Sequence, residues 1–157
     1  MFQGQTKCYN IHQSTKLAKQ IVEYARTWIG VPFHHQGRSK AGCDCAGVIV
    51  ACAKHINMNF SDMHGYGRLP KSNQLESIFR KQMISIPIES IQPADVVLMA
   101  WRSEPHHVGL ISNLPNGQLG IIHSYQIVGK VVEHRLDKKW HDRIVLAFRF
   151  PQIVKGF

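Results

Sequence analysis

At 157 residues, with 44% apolar and 18% charged side chains, the chain is long enough to build one domain, 1–157, around a real core. No apolar run approaches a membrane span, and MFQGQTKCYNIHQ contains no hydrophobic signal segment, so membrane insertion is not expected and synthesis in the cytoplasm is. The net charge of +9 favours an anionic partner. Its basic residues are scattered in pairs such as Arg38/Lys40, Arg80/Lys81 and Lys138/Lys139 without interleaved aromatics, so no nucleic acid is expected.

Residues 1–13 are polar and read as loosely held. Ser14 or Thr15 can cap a helix running to about Ile29, with Ala18, Ile21, Val22, Ala25, Trp28 and Ile29 on its apolar face. Gly30 ends it and Pro32 prevents its continuation. The loop 31–37 leads to Gly42-Cys43-Asp44-Cys45-Ala46-Gly47. Asp44 is a good N-cap for a second helix from Cys45 to about Ile56, with positions 45, 48, 49, 52 and 56 on one face. Residues 57–70 carry Gly65, Gly67 and Pro70 and read as a long loop able to wall a cleft. Asn73 with Glu76 makes a capping-box pattern for a third helix, with Leu75, Ile78 and Phe79 inward, ending near Met83. Strands follow at 95–101, 106–113, 118–126, 130–136 and 144–150, with 137–142 as a link. Helices first and strands later predict an α+β domain with a five-stranded antiparallel sheet, its core spanning about 15–151.

The chemistry gathers at Cys45. A thiol in the first turn of a helix feels the positive end of the dipole, which lowers its pKa and favours a nucleophilic thiolate. The competing assignment is a small buried hydrophobe. The four cysteines at 8, 43, 45 and 52 show neither a disulfide framework nor zinc-knuckle spacing. A cysteine nucleophile needs a base, and the base needs a group to orient it. Of ten histidines, His106, His107 and His123 fall on predicted core strands, and the other seven, His134 among them, lie in loops or at element ends. Pro115 suits the first central position of a type I turn, so Pro115-Asn116-Gly117 reads as a three-residue hairpin loop with Gly117 left-handed. In that register Leu114 pairs with Gln118 and Gly109 with His123, which makes His107 and His123 diagonal neighbours on one face. Cys45, His107 and His123 could instead supply three zinc ligands, but no Cys-x-x-Cys or His-Glu-x-x-His motif is present, so neither metal nor cofactor is expected.

Several blocks together resemble the NlpC/P60 cell-wall peptidases: Ile29-Gly30-Val31-Pro32-Phe33, Gly42-Cys43-Asp44-Cys45-Ala46-Gly47, Pro93-Ala94-Asp95-Val96, His107-Val108-Gly109-Leu110 and Ile122-His123. The resemblance runs from about residue 15 to 150. It implies a permuted papain-like fold, with Cys45 as nucleophile, His107 as base and His123 as third polar residue. It implies hydrolysis of peptidoglycan stem peptides, an anionic substrate, often at the D-γ-glutamyl-diaminopimelate bond. The backbone N–H of Cys45 is the expected oxyanion donor, with Phe33, His35 and Asp44 about the cleft. Phe33 stands where the family often has Tyr, and Cys43 adds a second thiol. The His-Gln before the cysteine block and the Ala-Phe-Arg-Phe-Pro stretch at 147–151 look most like the branch found in phages and gene-transfer agents. Phage-tail partners, with release by a holin or within a particle, are the corresponding expectation. The other possibilities are an acyltransferase or amidase on this fold, and a non-catalytic wall-binding or virion-structural module.

Overall fold

The computed structural model describes residues 3–67, 73–101 and 106–155. The fold is built around a helix that is apolar on every side. Helix α2, Cys45–His55, buries all of Ala46 to Ala53, the mark of a helix enclosed by other elements. Helix α1, Gln3–Arg26, packs on one side of it and the sheet on the other. The expected apolar face of α1 is buried at Ile21, Val22, Ala25 and Trp28. The helix begins at Gln3, so the segment expected to be loose is largely helical. It ends earlier than expected, at Arg26. The next turn tightens, with the N–H groups of Thr27, Trp28 and Ile29 bonding three residues back. Gly30 then takes φ +90, and Ile29 is left exposed.

A short hairpin of β1, Arg38–Ser39, and β2, Gly42–Cys43, feeds directly into α2. Two motif glycines let it lie this close. A Cβ on Gly47 would sit 2.6 Å from the Gly37 carbonyl oxygen, and one on Gly42 would sit 2.6 Å from the His34 Cβ.

Helix α3, Gln74–Gln82, buries Leu75 and Phe79, while Ile78 is half-buried. Asn73 does occupy the N-cap position, but in the left-handed region at φ 65 and without a side-chain cap bond. The capping box therefore does not form, and Glu76 instead pairs with Arg80 at 2.7 Å.

The main sheet has six strands, not five. Its order is β3–β8–β4–β5–β6–β7, with every pairing antiparallel. The strands are β3 Ile84–Ile86, β4 Val96–Met99, β5 His107–Asn113, β6 Leu119–Tyr125, β7 Lys130–Arg135 and β8 Ile144–Arg149. The additional strand, β3, is a half-exposed edge that pairs with β8. Between β7 and β8 the expected link contains a single helical turn, α4, Lys138–His141, capped by the Asp137 carboxylate. A final turn, α5, Pro151–Lys155, packs on α1.

Strand alternation gives the sheet two buried faces. Val96, Leu98, Val108, Leu110 and Ile122 join the core shared with α1 and α2. Val97, Met99, Ile111 and Ile121 join a second cluster under Trp101 and Trp140. At the start of β4 the buried Asp95 accepts from Arg149 at 2.8 and 2.7 Å and from the Gln92 N–H at 2.7 Å. The residue before it, Ala94, is held at φ 76, a conformation that disfavours a side chain.

Candidate active site

Asp44 caps α2 from extended backbone, its carboxylate accepting from the Gly47 N–H at 3.0 Å. Cys45 is therefore the first helical residue, half-buried. The backbone N–H groups of Val108 and Ala46 act on its thiol to lower its pKa. Val108 follows His107, so the thiol meets β5 at the strand's beginning.

The hairpin register matches the sequence expectation. Leu114 N–H donates to the Gln118 carbonyl at 2.8 Å, Gly117 takes φ +81, and Leu110 pairs with Ile122. His107 and His123 consequently share a face, with His107 Nε2 2.6 Å from His123 Nδ1. Gly109 leaves room for this pair, since a Cβ there would meet Ile121 at 2.7 Å and the His123 Cβ at 3.4 Å.

Sequence reasoning missed the next member. His123 Nε2 lies 2.8 Å from His134 Nε2, and His134 Nδ1 lies 2.9 Å from the Arg135 carbonyl oxygen. His123 pairs with Val132 in the β6–β7 ladder, so His134 is its diagonal neighbour, by the rule that joins His107 to His123.

Aromatic rings enclose the histidines. Tyr125 stacks on His123 at 5.3 Å, and Trp140 meets His123 and His134 edge-on or tilted at 4.9 and 5.0 Å. Trp101 packs on His107 at 5.5 Å, and Arg143 lies over both tryptophans. Trp140 comes from α4, the turn that the sequence showed only as a link.

This enclosure reverses one electrostatic expectation. Burial pushes the Cys45 thiol up to about 12, the adjacent Asp44 carboxylate adds to the rise, and the N–H groups of Val108 and Ala46 only partly offset it. Burial also pushes His107 down to about 3, with His106 and Arg143 contributing. His123 is lowered by burial and by its two histidine neighbours. Both shifts favour the neutral forms of the thiol and the imidazole. The helix N-terminus acts in the expected direction but is outweighed by desolvation.

The three expected cleft residues differ in their placement. Phe33 is half-buried, donates its N–H to the Gly129 carbonyl at 2.8 Å and bridges to Cys43. His35 packs edge-on against Tyr66, its Nε2 3.1 Å from the Tyr66 carbonyl oxygen. Asp44 is only 3% exposed and points inward rather than lining a cleft. Besides the Gly47 N–H it accepts from the Gln36 N–H at 3.0 Å, from Arg38 Nη1 at 2.8 Å and from the Tyr66 hydroxyl. Arg38 also pairs with Asp62 at 2.8 Å and donates to the Tyr66 hydroxyl at 2.7 Å. The loop 57–67 is in this way fastened to the cap of α2, while 68–70 lie outside the described residues. Cys43 is fully buried, and its carbonyl accepts from Ser124 Oγ at 2.8 Å, which marks it as packing. The side chain of Cys8 lies outside the described residues.

Among the described residues no group of three or more His, Cys, Asp or Glu side chains is arranged to hold a metal ion. Both ring nitrogens of His123 are already engaged by other histidines. Nor is any described helix long and apolar enough to cross a membrane.

A helix headed by a cysteine, packed on an antiparallel sheet whose neighbouring strands carry paired histidines, defines the papain-like α+β class. The chain belongs to the NlpC/P60 family, whose sequence profile matches residues 30–149. Among solved structures it is similar to an NlpC/P60 family protein from Bacillus cereus, with a TM-score of 0.62 at 20% identity, over 85% of this chain and 40% of that one. It is similar to an NLP/P60 lipoprotein-like protein from Staphylococcus aureus, with a TM-score of 0.60 at 18% identity, over 85% and 41%. It is also similar to the NlpC/P60 domain of the peptidoglycan hydrolase SagA, with a TM-score of 0.60 at 17% identity, over 85% and 98%. This chain thus spans well under half of the first two proteins and nearly all of the SagA domain. Comparison with curated proteins gave no match.

Proposed function

We propose that the protein is a cysteine peptidase that hydrolyses peptidoglycan stem peptides. The observation that carries this is Cys45 at the head of α2, which packs on β5, together with His107 at the start of β5 and its 2.6 Å contact with His123, in a chain of the NlpC/P60 family. The similar SagA domain comes from a peptidoglycan hydrolase. The net charge of +9 suits an anionic wall polymer.

Burial raises the thiol and lowers the imidazole, so the thiolate forms during the reaction. The Cys45 proton passes to His107 Nδ1 as the sulfur attacks the peptide carbonyl carbon. The Cys45 backbone N–H, at the head of α2, donates to the resulting oxyanion. When the carbon–nitrogen bond breaks, the amine leaves with the proton from His107. Water, deprotonated by His107, then attacks the thioester, releasing the carboxylate and restoring the thiol. The bond cut is the one between D-γ-glutamate and diaminopimelate. That detail, and delivery from the cytoplasm to the wall by a phage-like particle or holin, rest on sequence resemblance.

The test is digestion of purified sacculi followed by mass spectrometry of the released muropeptides. Products ending at D-glutamate are expected, and Cys45→Ser should abolish them. Intact sacculi after treatment with folded wild-type protein would reject the proposal.

A further inference from the structure

The histidine chain does not stop at the pair that the proposed reaction uses, and its far end fixes the near one. His134 Nδ1 faces a backbone carbonyl oxygen at 2.9 Å. A carbonyl only accepts, so this nitrogen must carry a proton. In neutral His134, Nε2 is therefore bare. It lies 2.8 Å from His123 Nε2, so that nitrogen must be the donor, and His123 Nδ1 is bare in turn. His123 Nδ1 lies 2.6 Å from His107 Nε2, so His107 carries its proton on Nε2. One lone pair remains at the end of the chain, on His107 Nδ1.

We propose that His134 is a positioning residue that transmits the Arg135 carbonyl through His123 to His107, holding His107 in the tautomer whose Nδ1 is free to accept a proton. Wrong-tautomer histidines are poor general bases even in an otherwise intact site. Trp140 packs against both His123 and His134 and keeps the two rings in line.

The catalytic consequence rests on the peptidase proposal, whereas the tautomer pattern does not, and the experiment separates them. Nitrogen-15 NMR of the wild-type protein at about pH 8 should show Nδ1–H on His134 and Nε2–H on both His123 and His107. Nδ1–H on His107 would overturn the proposal. His134→Gln can still accept the His123 proton through its amide oxygen. It should keep the His107 tautomer and most of kcat. His134→Leu, confirmed as folded by its thermal melt, should mix the His107 tautomers and lower kcat about tenfold with KM little changed. A His134→Leu variant with wild-type tautomers and wild-type kcat would also overturn it. A protein with the expected tautomers that cleaves no stem peptide would refute the peptidase proposal and leave this assignment standing.

Discussion

Two buried neutral histidines should make the protein unusually sensitive to mild acid. His107 is 8% exposed and His123 is fully buried, and both are held below the ordinary histidine range by desolvation. In the unfolded chain each returns to a pKa of about 6.5. Between that value and the folded one, the unfolded state binds more protons, so stability falls as pH falls. The loss begins near pH 6.5 and continues toward about pH 3 for His107. Going from pH 7 to pH 5 should cost about 2 kcal/mol for each histidine, hence about 4 kcal/mol together, provided each folded value lies below 5. That is a large share of a typical domain's stability of roughly 5–15 kcal/mol. Urea unfolding followed by tryptophan fluorescence measures it. With a slope of about 2 kcal/mol per molar, the midpoint should drop by about 2 M over this range. His107→Gln should remove about half of the pH dependence. A midpoint that is flat from pH 7 to pH 5, or an unchanged slope in His107→Gln, would refute the reasoning.

Other consequences can be measured directly. Iodoacetamide should modify Cys45 before the fully buried Cys43 and Cys52. Because its thiol is raised to about 12, the rate should climb about tenfold per pH unit from neutrality to about pH 10; a plateau near pH 7 would indicate a stored thiolate pair instead. Gly47→Ala gains helix propensity but forces a Cβ to within 2.6 Å of a backbone oxygen, so a net loss of about 2 kcal/mol is expected in thermal or urea melts. Ala94→Gly relieves a left-handed alanine at φ 76; it should leave stability unchanged or raise it by up to about 1 kcal/mol, unlike an ordinary core Ala→Gly change.

What was legible in the sequence had local causes. Asp44 announces the start of α2 because a short carboxylate before an apolar run satisfies the free N–H groups of a first turn. The β5–β6 register was legible because Pro115 and Gly117 restrict the turn to one loop length, and that register alone brought His107 to His123. What was missed depends on the rest of the molecule. β3 is three residues long, too short for a period to show, and its pairing with β8 makes it a strand. The turn α4 is a single capped turn whose tryptophan matters because it lands on two histidines. His134 needed the β6–β7 register, which the loop closing at Gly129, with φ +83, sets. The direction of the thiol shift could not be read from a helix terminus, since it depends on how completely the surrounding elements exclude water.

The carboxylate of Asp44 has a consequence beyond helix capping. A bare negative charge beside a nucleophile opposes formation of a second one, and Asp44 does raise the Cys45 thiol, while Arg38 acts to lower it. Arg38 is held in place by Asp62 from the loop 57–67. Whatever moves that loop therefore retunes the sulfur without touching it. Asp62→Asn, seventeen positions from Cys45 along the chain, would be felt there as a change of electric field, legible as a displaced alkylation pH profile in a site whose atoms had not moved.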